Sequence, residues 1–549
     1  MLQLGFFITT GALIESNGHS VAFGRFDQIM YPYYRQDLEN GTATPEFVQE
    51  LIESTMIKVC GYMKLRDWQT TQDNSGRGVG GLTLTIGGVD STGRDATNAL
   101  SYMVLDALAH TQIGQPWVMV RLHDATPDSF LLRAARVIRI GTGEPKLIND
   151  RVVIPGMLAR GRSLREARDY SVVGLAESDV GGHEYSWHDA AYFSLPKVLE
   201  LALNDGRPLG DAASGQVGPA TGSLADFGSF EQLQQAFARQ MSHWVARMVR
   251  SVNVVDRAHQ ALKPLPYLSL LIDDCTERGV DVSAGGARYN FTGVQAVGLG
   301  TVSDALSAIK YLVFDQRRVT GRQLLEALGA DWQGFDYLYA LVNGRKVPHY
   351  GNDDDYADDL ARYSAELWCR QVTGRRNARG GTFQPGMFSV SANVPFGRAQ
   401  GASADGRRAG EPLSDGISPV HNAAGAHDFK GLTATINSAA KLDQEAISNG
   451  VPFNVRIKPS SLQGARAAAN LASLVRAYFR SGGMHLQISV SSREVLMDAD
   501  RNPERYPGLL VYVAGYSTLW HELGDRLKED IIARTELAFD ENTDLTPPD

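Results

Sequence analysis

Residue types that bind metal ions are concentrated between positions 177 and 189 of this 549-residue chain. They are Glu177, His183, His188 and Asp189. Carboxylate and imidazole groups are ligands that zinc takes from proteins, but compact zinc motifs place them at characteristic short intervals. The spacing here matches none of those motifs. His188 and Asp189 also come just before a predicted helix, where polar residues commonly cap the first turn. We therefore predict no metal site from these residues.

Two short apolar segments end directly in a glycine. The segment "YSVV" leads to Gly174, and "LLVYVA", introduced by Pro507 and Gly508, leads to Gly515. A buried strand that ends in a glycine at a hairpin tip can carry backbone atoms into a cavity where side chains do not fit. The sequence therefore predicts two hairpin tips of this kind. Taken alone, Gly515 is better explained as an ordinary turn residue, since turns so often use glycine.

A glycine pattern and three cysteines are further candidates, for a dinucleotide site and a nucleophilic triad respectively. Gly76, Gly78 and Gly81 satisfy GxGxxG. A dinucleotide site needs a strand before this pattern and a helix after it. Here "TTQDNS" precedes the pattern and the strand-like "LTLTIGG" follows it, so we reject nucleotide binding. The cysteines, at positions 60, 275 and 369, form no CxxC pair and have no obvious base partner in a turn, so we predict no nucleophilic triad.

The elements that position these residues alternate between helical and strand-like segments, which predicts an α/β fold. One helix should begin at Ser194 and end at "NDG", residues 204–206. Others should begin near Ser303 and near Thr320. Residues 376–421 are rich in Gly, Ala, Arg and Pro and predict an irregular segment or a domain boundary. The acidic tail "FDENTDLTPPD" predicts disorder.

Composition limits the compartment and the partners. The net charge is −9 with acidic and basic residues well mixed, which argues against nucleic acid and membrane surfaces as partners. No apolar run approaches the roughly 20 residues that span a bilayer. The start "MLQLGFFITTGALIES" lacks a basic region and a clear cleavage site, so we expect no signal peptide. Widely spaced cysteines indicate a reduced, cytoplasmic protein.

Several segments in the same order along the chain resemble glycyl radical enzymes, the superfamily of pyruvate formate-lyase and glycerol dehydratase. The clearest are "GHSVAFGRFDQIMYPYYRQD" (18–37), "TIGGVDSTGRDATNALSYMVLDAL" (85–108), "REARDYSVVG" (165–174), "DDCTERGVDVSAGGARYN" (273–290), "SADGRRAGEPLSDGISP" (403–419) and "PERYPGLLVYVAGYSTLW" (503–520). The resemblance covers essentially the whole chain. So many motifs in one order identify the chain as a member of this superfamily.

The resemblance implies a ten-stranded α/β barrel that encloses two loops, one with a thiyl cysteine and one with a radical-bearing glycine. By the resemblance, Gly515 of "VYVAGYS" matches that glycine. The position requires glycine because loss of the α-hydrogen leaves a planar radical that a side chain would crowd. The barrel excludes water and oxygen from the radical. The implied domains are a pyruvate formate-lyase-like barrel over residues 1–419 and a glycine radical domain over residues 420–549. The resemblance implies no bound cofactor, installation of the radical by a separate radical S-adenosylmethionine activase, and a homodimer.

The sequence departs from the superfamily at the cysteine loop. Where relatives resemble G-C-V-E-P, this chain has "GLAES", so Leu175 occupies the thiyl position. Leucine has no weak S–H bond with which to relay a hydrogen atom. Glu177 matches the acid/base carboxylate of the family, which accepts a substrate hydroxyl proton. Its alternative role is that of a buried, hydrogen-bonded acid.

Further departures affect the radical loop and the extent of the barrel. Tyr512 stands where arginine is usual, and Ser489 stands where asparagine is usual. Cys275 matches a family cysteine, but we expect it to be a small buried residue. The chain also begins at a point that resembles the middle of a family member. We therefore expect a barrel without its N-terminal portion, whose free strand edges must be covered or paired.

Two function classes follow from these features. The first is a glycyl-radical lyase of the diol or glycerol dehydratase group, which eliminates water or another group from a small polar substrate. Gly515 would store the radical, Glu177 would act as acid/base, and His188 and Asp189 would line the pocket. The second is a catalytically degenerate or fragmentary member of the family, which Leu175 supports. A third possibility is that a separate polypeptide supplies the N-terminal half.

Overall fold

The computed structural model describes residues 1–16, 20–62, 67, 81–209, 215–513, 515–534 and 536–538, and it confirms an α/β fold. Gly76, Gly78 and the acidic tail at 539–549 lie outside the described residues. Gly81 is described, and the segment that follows it is a strand, as the sequence predicts. Among the described helices, none combines the length and apolarity that crossing a bilayer requires.

The strands differ in length but most are short and buried. They are β1 (Ala22–Arg25), β2 (Thr83–Gly87), β3 (Trp117–Leu122), β4 (Lys146–Asn149), β5 (Ser171–Val173), β6 (Glu177–Asp179), β7 (Trp187–Ser194), β8 (Thr292–Val297), β9 (Phe383–Gly386), β10 (His421–Asn422), β11 (Gly425–Ala426), β12 (Asn454–Arg456), β13 (His485–Ser489), β14 (Leu510–Tyr512) and β15 (Ser517–Leu519).

Two sheets and two inner hairpins make up the centre of the fold. The larger sheet has six strands in the order β1-β2-β3-β4-β13-β12, and the smaller has the order β7-β8-β9. Strands β1 to β4 run parallel, and β13 runs antiparallel to β4. Every residue of β2, β3, β4, β8 and β13 is buried, as expected for strands covered on both faces. This is the α/β barrel that the sequence predicts.

The helices lie between the strands along the chain. They are α1 (Leu2–Ser16), α2 (Phe26–Glu39), α3 (Pro45–Cys60), α4 (Ala99–Thr111), α5 (Asp128–Ile138), α6 (Asp150–Ala159), α7 (Leu164–Arg168), α8 (Leu195–Leu203), α9 (Phe230–Leu262), α10 (Pro266–Leu271), α11 (Cys275–Arg278), α12 (Leu299–Ile309), α13 (Gly321–Gly329), α14 (Asp336–Val342), α15 (Asp355–Val372), α16 (Asn393–Arg398), α17 (Leu432–Ala440), α18 (Ala467–Arg480), α19 (Arg493–Arg501) and α20 (Asp525–Ala533).

Capping residues explain where the predicted helices begin. Ser194 caps α8 through a hydrogen bond from the Lys197 amide, and Thr320 caps α13 in a reciprocal box with Gln323. Helix α12 begins at Leu299, earlier than predicted, because Gly298 with φ of 86° turns the chain directly from β8 into the helix. Ser303 does not cap it, since its hydroxyl donates to the carbonyl of Leu299 instead.

Two predictions concern segments around the sheets. The segment 376–421 is largely irregular, as predicted, with only β9 and the short α16 in addition to the start of β10. His188 and Asp189 are not helix caps, because they lie on β7 and the capping role belongs to Ser194. The strand continues to Ser194, so both residues project from a sheet rather than from a helix terminus.

The hairpin β5–β6 is held against β2 by threonine side chains. The Thr83 hydroxyl donates to the carbonyl of Val172 at 2.8 Å, and the Val172 amide donates to the Thr85 hydroxyl at 3.0 Å. Alternate residues of a strand share one face, so residues 83 and 85 point to the same side of the sheet. These bonds pair the backbone amide and carbonyl of a residue in β5, a short strand that belongs to neither of the two larger sheets. They hold the tip of the β5–β6 hairpin toward the second hairpin, β14–β15.

Candidate active site

The tips of the two inner hairpins are in contact. Gly515 has φ of +89°, and a Cβ atom placed on it would lie 2.8 Å from both Cδ atoms of Leu175 and 3.0 Å from its Cγ. Leu175 itself is 4% exposed. The left-handed backbone and the close approach both require glycine at position 515. The two predicted tips, Gly174 and Gly515, which are 341 positions apart in sequence, therefore form a single buried site.

The glycine loop is fixed by polar groups on both sides of Gly515. The Gly515 amide donates to the phenolic oxygen of Tyr512, and burial raises the pKa of that phenol well above its ordinary value. Arg534 donates to the carbonyl of Val513 and forms an ion pair with Asp530 at 2.7 Å. These bonds hold the backbone on either side of the tip.

Glu177 closes the other hairpin tip. Its Oε2 accepts hydrogen bonds from the amides of Leu175 and Ala176, both at 2.7 Å. Burial, together with the negative charge of Asp189, raises the pKa of Glu177 to about 7, although the positive charge of His188 opposes the shift. A carboxyl group with such a pKa can accept or release a proton near neutral pH, which suits general acid/base chemistry.

Hydrogen bonds identify His188 as an imidazolium. Its Nε2 lies 3.0 Å from Oδ2 of Asp179, and its Nδ1 lies 2.7 Å from Oδ1 of Asn449. The amide nitrogen of Asn449 donates to the His188 carbonyl, which leaves Oδ1 as an acceptor, so both ring nitrogens of His188 must donate. Burial alone would lower the pKa of His188, but Asp179 and Glu177 raise it to about 10.

A cavity of about 530 Å³ lies beside these groups, and Glu177, His188 and Asp189 line it. Burial raises the pKa of Asp189 to about 6, while His188 opposes the shift. Around the hairpin tip, the cavity therefore combines the His188 imidazolium with the carboxyl groups of Glu177 and Asp189, which titrate near neutrality. Lys263 and Arg379 also line the cavity and add positive charge. Groups of this kind can bind hydroxyl groups and transfer their protons.

Comparison with known proteins identifies the family. A family model described as pyruvate formate lyase-like matches residues 2–397, and a glycine radical model matches residues 413–521. The chain belongs to the glycyl radical enzymes.

Its relatives include dehydratases that act on different substrates. The chain is 46% identical over 98% of its length to a (2S)-3-sulfopropanediol dehydratase of Klebsiella oxytoca, covering 65% of that protein. It is 35% identical over 98% of its length to a trans-4-hydroxy-L-proline dehydratase of Clostridioides difficile, covering 67% of it. The structure of a B12-independent glycerol dehydratase from Clostridium butyricum matches with a TM-score of 0.94 and 42% identity, over 98% of this chain and 67% of that one. The chain thus spans about two thirds of the length of these relatives.

His183 and Cys275 do not join the site. His183 lies 3.1 Å from Glu166 and 3.2 Å from Asp273, whereas His188 pairs with Asp179. The four residues near position 180 therefore do not converge on one metal ion. Cys275 is 2% exposed and packs in a separate small apolar cluster, and burial raises the pKa of its thiol.

Several residues that set the charge and backbone of this site have little or no signal in the sequence. Asp179 lies two positions after Glu177 on β6, so strand periodicity could have placed it on the same side. Asn449 bonds to His188 across 261 positions and carried no local signal. Tyr512 stands out in the sequence only as a departure from the family, and its bond to the Gly515 amide has no sequence signal. Ser489 is buried on β13 and its hydroxyl lies 3.4 Å from that of Ser491.

Proposed function

We propose that this site is that of a glycyl-radical lyase of the diol or glycerol dehydratase group, which eliminates water or another leaving group from a small polar substrate. The observation that carries the proposal is the contact between Gly515 and the tip of the β5–β6 hairpin, beside a cavity lined by Glu177. Dehydratases among the relatives act on a sulfopropanediol and on hydroxyproline, which supports a small hydroxylated substrate.

Each residue has a distinct role in this proposal. Gly515 stores the radical after a radical S-adenosylmethionine activase removes one hydrogen atom from its Cα. Glu177 accepts a proton from a substrate hydroxyl group, which its pKa of about 7 permits at neutral pH. His188 and Asp189 line the substrate pocket. Both N–H groups of the His188 imidazolium are bonded to Asp179 and Asn449, so it acts on the substrate through its positive charge. The oxygen sensitivity of such a radical favours an anaerobic cytoplasm.

Leu175 favours a second candidate function, that of a catalytically degenerate scaffold. Its side chain fills the gap between the two tips where a thiol would relay the hydrogen atom between Gly515 and substrate. The aliphatic C–H bonds of leucine are too strong for that relay. In this second function the chain keeps the barrel and the glycine loop and acts as a binding partner.

Anaerobic activation separates the two functions. The chain is incubated with the activase of a dehydratase relative, and the radical is recorded by electron paramagnetic resonance. A doublet that disappears in Gly515→Ala supports radical storage. Turnover of 1,2-propanediol, glycerol or 3-sulfopropanediol by the chain with leucine at position 175 supports the lyase and excludes the degenerate scaffold.

The Leu175→Cys variant tests whether the rest of the site is competent. Turnover that appears in Leu175→Cys but not in Leu175→Ser, a matched variant of similar size without a thiol, supports the assigned roles of Glu177 and the cavity. Glu177→Gln in the Leu175→Cys background should then abolish turnover and leave the radical signal in place. No radical in any variant, under conditions that activate a relative, excludes the lyase.

We further propose that polypeptide outside this sequence completes the barrel. Among the described residues, β1 pairs only with β2 and β7 only with β8, and residues of both β1 and β7 line the cavity. An exposed strand edge is a template for another strand. Co-expression with the N-terminal third of a dehydratase relative should give a stable complex and, with Leu175→Cys, turnover. Light scattering tests the homodimer that the family resemblance implies.

A further inference from the structure

A second group of metal-ligating side chains is buried away from the radical site. Asp304 lies on α12, His349 lies between α14 and α15, and His427 follows the hairpin β10–β11. Their exposures are 0%, 1% and 3%. One donor atom from each residue lies within 4.8 Å of the other two. Asp304 and His349 are 45 positions apart, and His349 and His427 are 78 positions apart, so no short sequence motif identifies the group.

Both histidines direct the same ring nitrogen at one carboxylate oxygen. Nδ1 of His349 lies 3.2 Å from Oδ2 of Asp304, and Nδ1 of His427 lies 2.6 Å from that same oxygen. The second carboxylate oxygen, Oδ1, accepts a hydrogen bond from the Tyr350 amide at 2.7 Å. The three donor atoms therefore converge, while the rest of the carboxylate is already satisfied.

The far side of each ring decides its protonation. Nε2 of His349 lies 3.4 Å from the carbonyl oxygen of Gly344, and Nε2 of His427 lies 3.2 Å from Oδ1 of Asn343. Oδ1 of Asn343 is fixed as an acceptor, because it accepts a bond from Asn422 and the Asn343 amide nitrogen donates to a carbonyl. Both Nε2 atoms must therefore carry hydrogen.

This hydrogen-bond pattern leaves the centre of the group in need of a cation. Each neutral ring, whether one or both are neutral, directs an Nδ1 lone pair at a carboxylate oxygen and repels it. If both rings are protonated, two imidazolium groups lie with centroids only 4.0 Å apart in a buried site. A divalent cation between the three donor atoms removes both conflicts. Histidines that bind metal usually donate their other ring N–H to a carbonyl or carboxylate, as both do here.

We propose that Asp304, His349 and His427 form a structural site for a divalent transition metal of the zinc class. Two imidazoles and a carboxylate are ligands that suit this class. Ligand atoms about 2.0 Å from a tetrahedral zinc ion lie about 3.3 Å from one another. The His349–Asp304 distance of 3.2 Å already fits, and the 2.6 Å between His427 and Asp304 needs only a small side-chain movement.

Asp405 adds buried negative charge near the site. It is fully buried, and its Oδ2 has no hydrogen-bond partner among the described residues. Its negative charge acts on the His349 ring. The metal would join α12 to the chain entering the C-terminal segment, because His427 follows β11. The site would therefore link α12 to the segment that leads to Gly515.

Zinc binding to the unactivated protein tests this proposal without any need for catalysis. Protein stripped with a chelator is titrated with Zn²⁺ alone against a chromogenic competitor, and Co²⁺ is used to report tetrahedral ligand geometry by its visible absorption. We expect one equivalent to bind and the thermal midpoint to rise. His349→Gln and His427→Gln should each weaken binding at least about 100-fold, and Asn343→Leu should weaken it by about 10- to 100-fold through loss of the outer hydrogen bond.

A matched control uses a histidine that also lies between carboxylates. His183, which contacts Glu166 and Asp273, should be replaceable by glutamine with no change in zinc stoichiometry. The proposal fails if the stripped protein binds less than about a tenth of an equivalent at zinc concentrations typical of structural sites. It also fails if His427→Gln binds zinc as tightly as the parent. Variants that lose stability while the parent binds no metal would show that protons, not a metal, balance the group.

Discussion

The contact between Gly515 and Leu175 can be tested by a double-mutant cycle. Gly515→Ala places a methyl group 2.8 Å from both Cδ atoms of Leu175 on a backbone with φ of +89°. The strained backbone costs about 1–3 kcal/mol, and overpacking costs about another 1–3 kcal/mol. Leu175→Ala removes the three atoms that the new methyl group would strike, at a cost of about 2–5 kcal/mol for the cavity that it leaves.

The two changes should not add. In the double variant the alanine at position 515 meets open space, so the overpacking disappears and only the backbone strain and a partly filled cavity remain. We expect the double variant to be about 1–3 kcal/mol more stable than the sum of the single variants predicts, because residues in contact couple by amounts of this size.

Urea unfolding of the four proteins, followed by circular dichroism, measures this coupling. A matched cycle combines Gly515→Ala with Leu328→Ala, a buried leucine of α13, and should be additive. If the cycle with Leu175 is also additive within about 0.5 kcal/mol, the two tips do not touch and the site assigned here does not exist. Anaerobic conditions are unnecessary, since the cycle concerns packing and not the radical.

Three other perturbations follow from the charges and bonds of the site. The folded pKa of Glu177, about 7, lies above the ordinary 4.5. The free-energy cost of burying its charge is therefore absent below pH 4.5 and complete above pH 7. Relative to Glu177→Gln, the parent should lose about 3 kcal/mol of stability across that interval, measured by urea unfolding. His188 has a raised pKa of about 10 against 6.5, so its stabilisation is complete below pH 6.5 and lost as pH rises through 10. His188→Gln should therefore cost about 3–5 kcal/mol at pH 6 and less at pH 10. Thr85→Val leaves the Val172 amide unpaired and should cost about 1–3 kcal/mol in the same assay, whereas Thr85→Ser keeps the hydroxyl and should cost less.

Local signals account for the parts of the fold that the sequence predicted. The helices after Ser194 and Thr320 have a capping residue and apolar periodicity within one or two turns, and both begin where expected. The hairpin tips at Gly174 and Gly515 also end short apolar strands, which the adjacent residues in the sequence predict. The resemblance to a family added what local signals lack, namely that the two tips belong together.

The pairing of distant side chains could not be predicted in this way. Polar residues before a helix often cap it, which predicts a helix terminus at His188 and Asp189, yet β7 extends through them to Ser194. The proton state of His188 depends on Asn449, 261 positions away. The same holds for the group at Asp304, whose histidines come from separate loops. Charge states follow from three-dimensional neighbours, and composition or spacing along the chain carries no record of them.

The two residues at the β5–β6 tip differ in what they cost the fold. Leu175 is a buried apolar side chain packed against Gly515, and it favours stability whether or not the site performs chemistry. Glu177 is a carboxyl group whose buried charge is destabilising above pH 7. A glutamine could accept the same bonds from the amides of Leu175 and Ala176 without that charge. The hydrogen bonds at the tip therefore require only an acceptor, and the ionisable proton is the one property of Glu177 that packing does not explain. Retention of that proton supports acid/base chemistry at the tip, whereas Leu175 is explained by stability alone.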